Sequence, residues 1–90
     1  MTPTQAEALG IRALKFLASD GERLGYFLAV TGTNPADLRE RADNSELLAA
    51  ILDHLLADEH LLVQFCKAEG ADPREPGRAR RALPGYMEPM

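Results

Sequence analysis

Ninety residues with a mass of 9.8 kDa allow one domain, because a second hydrophobic core could not be covered by so short a chain. Apolar residues at 46% and charged residues at 27% describe a folded globular protein rather than a disordered segment. The net charge of −4 is uneven: residues 43–64 hold Asp43, Glu46, Asp53, Asp58 and Glu59 and no lysine or arginine, which argues against a broad nucleic-acid-binding face.

The elements read in chain order as helices separated by capping and stop signals. Thr4 and Glu7 have capping-box spacing, and Leu9, Ala13, Phe16 and Leu17 recur at helical intervals, widened by Ile11 and Leu14, so the first helix is expected from Gln5 to Ala18. Asp20 can cap a second helix bearing Leu24, Phe27, Leu28 and Val30, with Gly32 at its stop. Asn34-Pro35 joins an N-cap to a proline at the first helical position and opens a third helix to about Ala42. Asp43 and Glu46 repeat the capping-box spacing before the most apolar helix, with Leu47, Leu48, Ile51, Leu52, Leu55 and Leu56, which is expected to be central. Asp58 caps a fifth, with Leu61, Leu62, Val63, Phe65 and Cys66, ended by Gly70. A sixth lies between Pro73 and Leu83, beginning as late as Pro76, because that proline disfavours helical geometry at Glu75.

The expected fold is therefore an all-α compact bundle of five to six short helices. A shift of 38 residues superposes Asp20 on Asp58, Phe27 on Phe65, Gly32 on Gly70 and Pro35 on Pro73, along with four leucine pairs. Because the cap, the core aromatic, the helix stop and the helix start have separate physical jobs, their joint recurrence points to a tandem pair of three-helix units, residues 5–42 and 43–83, followed by a loose tail over 84–90. Phe27 and Phe65, each one turn beyond a leucine, are expected in the core.

Catalytic chemistry finds no foothold. The longest apolar run, Leu47 to Leu52, is far short of the roughly 18 residues of a membrane span. The residues Met1 to Gln5 lack the basic and apolar regions of a secretory signal, so the cytoplasm is the expected location. Cys66 has no cysteine partner and takes the place of Leu28 in the 38-residue register, which reads as core packing. Ser19 and Ser45 read as capping residues, and no triad or phosphate-binding glycine loop is present. His54, Asp58 and His60 are the nearest approach to a metal-ligand group, but Asp58 is needed as a cap, so neither a metal nor another cofactor is expected.

Two binding readings remain. The first is a non-enzymatic protein-binding or self-associating module, in which Leu48, Ile51 and Leu55 on the fourth helix form a homodimer face or receive a partner helix, and Arg78, Arg80 and Arg81 meet acidic residues at its rim. The alternative is a nucleic-acid-associated regulator, using a helix-turn-helix-like element around Leu28, Gly32 and Leu38 with Arg39 and Arg41, or the Arg78 to Arg81 patch. The negative net charge speaks against it.

The segments LASDGERLGYFLAVTGTNPADL, from Leu17 to Leu38, and LDHLLADEHLLVQF, from Leu52 to Phe65, resemble an uncharacterised family of short helical proteins from alphaproteobacteria, classed as a domain of unknown function. The likeness runs over residues 5–85, and the Pro76-Gly77 pair departs from the smoother last helix of that family. It implies a bacterial cytoplasmic protein and carries no activity or functional residues with it.

Overall fold

The computed structural model describes residues 1–86, and within them the chain forms six helices and no strand. They are α1 (Pro3–Ala18), α2 (Gly21–Thr31), α3 (Pro35–Glu40), α4 (Ser45–Leu56), α5 (Glu59–Glu69) and α6 (Glu75–Arg81). The all-α expectation holds. No helix among the described residues is long and apolar enough to cross a membrane.

Local chemistry sets most helix ends. Asp20 accepts from the backbone N–H groups of Glu22 and Arg23, Asn34 from Asp37, and Asp58 from Leu61, each satisfying donors that the first helical turn leaves unpaired. Gly32 and Gly70 close α2 and α5 with φ of 72° and 64°, a left-handed conformation that a Cβ resists. Both helices are 11 residues long.

Three starts differ from expectation. Helix α1 begins at Pro3 because Thr2 and Gln5, not Thr4 and Glu7, form the reciprocal capping box, with hydrogen bonds of 3.1 and 2.9 Å. That register also places Pro3 in the first turn, where its missing N–H removes no helical bond. Helix α4 is capped by Asn44 rather than Asp43, its Oδ1 accepting from Glu46 and Leu47. Helix α6 starts at Glu75, one residue before Pro76, since a proline in the first turn is tolerated there too. It has no side-chain cap. The position matching the Asn34 cap, Asp72, instead accepts from the backbone and guanidinium of Arg74, which holds its carboxyl down to about 2. Helices α3 and α6 thus begin by different chemistry.

The centre is a pair of helices rather than α4 alone. Helix α1 packs against α2, α4, α5 and α6, while α4 packs against α1, α5 and α6. Their close approach follows from Gly10, where an added Cβ would lie 2.9 Å from the Leu48 Cβ. Ala6 and Ala13 flank Gly10 on the same buried face. Phe16 and Phe65 meet edge to face at 5.5 Å, a favoured aromatic geometry that ties α1 to α5. Phe27 and Phe65 are both fully buried, as expected. Helix α3 is anchored through Leu38.

The result has a radius of gyration of 12.1 Å, against about 12 Å for a compact chain of this length. The tail expected over 84–90 is described as far as Tyr86, whose ring lies 5.8 Å from the Arg80 guanidinium; residues 87–90 lie outside the described part.

Candidate functional site

The apolar face of α4 is not free. Leu48, Ile51, Leu52 and Leu55 are fully buried and Leu47 nearly so, because α1, α5 and α6 all pack against this helix. Only Leu56, in the last turn, remains exposed. The expectation that Leu48, Ile51 and Leu55 form an interaction surface is therefore corrected: one small core absorbs them.

The arginine patch divides in the same way. Arg78 and Arg81 are exposed, whereas Arg80 turns inward. Its Nε donates to Asp53 Oδ1 at 2.7 Å, and its Nη1 donates to the carbonyls of Pro84 and Leu83 at 3.1 and 3.5 Å. This arginine meets the acidic segment within its own molecule, joining α6 and the following turn to α4. It is a structural residue, not part of a rim.

Helix α3 has only six residues, about 9 Å of helix, and Arg41 lies at its C-cap facing Glu46 at 3.9 Å. A recognition helix for a major groove would need to project its first turns past its neighbour, and α3 opens instead on Asn34, Pro35 and Asp37. Arg39 lies in the last turn of α3 with Asp37 and Glu40 on the same short helix.

One cleft that the bundle leaves open lies where α2, the end of α4 and the start of α5 come together. It is lined by Tyr26, Val30, His54, Ala57, Asp58, Glu59 and His60, with a volume of about 440 Å³. Tyr26 and Val30 stand one turn apart on α2 and are 60% and 59% exposed, the most exposed large apolar side chains of the described residues. Val30 was expected on the apolar face of α2, but that face is only wide enough to bury Phe27 and half-bury Leu24 and Leu28.

His54 forms the inner wall. Its ring lies 5.2 Å from Phe27, edge to face, and 5.7 Å from Tyr26. Its Nε2 is buried with no hydrogen-bond partner. Burial holds its pKa below the ordinary histidine value, against an opposing pull from the nearby Asp58 carboxylate, so the neutral ring is favoured. His54, Asp58 and His60 do share this cleft, yet among the described residues no three metal-binding side chains come together as a ligand set. Asp58 stays committed to Leu61 N–H as a cap.

Cys66 is buried in the core, and burial together with Glu75 and Asp72 pushes its thiol up, away from the reactive thiolate. Ser19 lies at the C-terminal end of α1 instead of at a helix start, where its hydroxyl donates to the Phe16 carbonyl at 2.7 Å.

Comparison of sequences adds the lineage. Residues 3–86 match the family described as a protein of unknown function, DUF3572. The chain belongs to that family. No match was found among curated proteins or among solved structures.

Proposed function

We propose that this DUF3572 protein is a non-enzymatic binding module, and that the cleft around Tyr26 and Val30 receives an apolar, basic segment of another protein. The observation that carries this reading is the pairing of the two most exposed large apolar side chains with an acidic edge. Tyr26 supplies a rigid aromatic surface with a polar tip, of the kind enriched at binding hot spots. Asp58 and Glu59 lie on the same cleft, within a stretch free of lysine and arginine, so a cationic segment is favoured over an acidic one. A second copy is a poor occupant, because the α4 leucines that would extend an apolar face for it are internal.

A photo-crosslinking residue placed at Val30, with Arg39 in α3 as the exposed control position, tests the reading in cells that express the protein. The expected product joins Val30, and not Arg39, to a peptide rich in lysine or arginine and in apolar residues. Crosslinks to a second copy, to an acidic segment, or equally from both positions would refute it.

A further inference from the structure

Three cations line a second cleft that shares no lining residue with the first. It has a volume of about 550 Å³, within the range of small-molecule sites, and is lined by Lys15, Phe16, Ser19, Arg23, Gln64, Lys67, Ala68 and Glu69. Helix α1 contributes Lys15, α2 Arg23 and α5 Lys67, so the group forms only when the bundle is assembled. None of the three makes an ion pair among the described residues. The one carboxylate in the lining, Glu69, is held by Arg12, whose Nε donates to its Oε1 at 3.2 Å while Nη2 donates to its backbone carbonyl at 2.8 Å. The cleft is therefore positive on a chain whose net charge is −4.

Lys15 and Lys67 stand in the last turns of α1 and α5, where a cation also answers the helix dipole. Arg23 has no such reason. It lies in the first turn of α2, the end where the dipole disfavours a cation, and its guanidinium is stacked over the Phe16 ring at 4.4 Å. This contact holds the guanidinium beside the ring, and its N–H groups have no carboxylate partner among the described residues, which leaves them free for an oxyanion. Ser19 Oγ spends its proton on the Phe16 carbonyl, and Gln64 supplies an amide.

We propose that this cleft binds a small phosphomonoester, with Arg23, Lys15 and Lys67 around the dianion and the exposed Ala68, together with the aliphatic stems of the two lysines, against the organic group. A single carboxylate would answer one cation and leave two in mutual repulsion, whereas a phosphate dianion presents three oxygens at one centre. A polynucleotide would need a longer cationic track than these three residues provide.

Titration of the full chain at low salt, followed by amide and side-chain NMR signals, tests the assignment with phenyl phosphate, inorganic phosphate and succinate as probes. Phenyl phosphate is expected to shift Lys15, Arg23, Gln64 and Lys67 to saturation and to bind more tightly than the other two. Arg23→Gln and Lys67→Gln, each with the parent spectrum otherwise retained, should weaken it about tenfold, the worth of one charge-assisted hydrogen bond. Arg39→Gln, exposed on α3, should leave it unchanged. Shifts spread without saturation over all surface cations, equal binding of succinate or inorganic phosphate, or undiminished binding by Arg23→Gln would each overturn the proposal.

Discussion

Removing the carboxylate of Asp53 should destabilise the bundle more than replacing the buried arginine with an apolar residue of similar length. The pair is asymmetric: the Arg80 side chain is 9% exposed and that of Asp53 is 58% exposed. In Asp53→Ala the guanidinium stays inside the protein with only the Leu83 and Pro84 carbonyls as acceptors, and it loses a charge-assisted bond of 2.7 Å. Such a bond is worth about 1.5–3 kcal/mol, and the value of about 3–5 kcal/mol for breaking a fully buried pair is an upper limit because water reaches this one from the Asp53 side. A loss of about 2 kcal/mol is expected, or about 8–16 °C in Tm for a domain of this size. Arg80→Met keeps the aliphatic stem packed and leaves a carboxylate that water can solvate, so about 1 kcal/mol is expected. Arg80→Ala also loses the stem and should cost about 3 kcal/mol. Urea unfolding followed by helical circular dichroism gives all three values, and the Asp53→Ala, Arg80→Met double variant gives the coupling. If Asp53→Ala unfolds with the parent midpoint, the pair behaves as a solvated surface contact and the structural role assigned to Arg80 is wrong.

Two further perturbations probe the packing. Gly10→Ala improves intrinsic helix propensity by about 1 kcal/mol, but the new Cβ meets the Leu48 Cβ, which is fixed to the α4 backbone and cannot rotate away. The overpacking cost of about 1–3 kcal/mol should win, leaving a net loss of about 1 kcal/mol in denaturant unfolding; a stabilised variant would show that α1 and α4 are not held so closely. Because burial lowers the pKa of His54 in the folded state, the unfolded chain takes up its proton first on acidification. The stability associated with the neutral ring is complete above the unfolded value near 6.5 and falls as pH drops from there to the lower folded value. His54→Phe should flatten that part of the stability profile, measured by urea unfolding from pH 7.5 downwards, and an unchanged slope would assign the dependence to other groups.

Function was less legible than fold, for reasons visible residue by residue. Tyr26 and Val30 lie on α2 among other apolar residues, and nothing in their spacing distinguishes the buried Phe27 from the exposed Val30. His54 was conspicuous as a candidate ligand, but the contacts that define it, Phe27 and Tyr26, come from a helix more than twenty residues earlier. Lys15, Arg23 and Lys67 are unremarkable singly, since isolated cations on amphipathic helices are the common condition of a soluble surface. Arg80 was grouped with Arg78 and Arg81 by adjacency, although a helix turns each residue by about 100° and sends neighbours in different directions.

The amino-acid order alone determined that the chain is helical, where α2 and α5 begin and end, and that Phe27 and Phe65 are core residues. Those decisions are local: Asp20 and Asp58 satisfy donors within three residues, and Gly32 and Gly70 accept a conformation that other residues resist. Only the tertiary structure decided how much of each apolar face is covered. Hydrophobic period shows which side of α4 is apolar, but not that α1, α5 and α6 together leave just Leu56 outside, nor that α2, with fewer neighbours, keeps Tyr26 and Val30 in water. The same packing carried Arg80 inward to Asp53 and brought three cations from three helices into one cleft, because side chains distant in sequence become neighbours only when Gly10 lets α1 and α4 close on each other and the remaining helices fold around them.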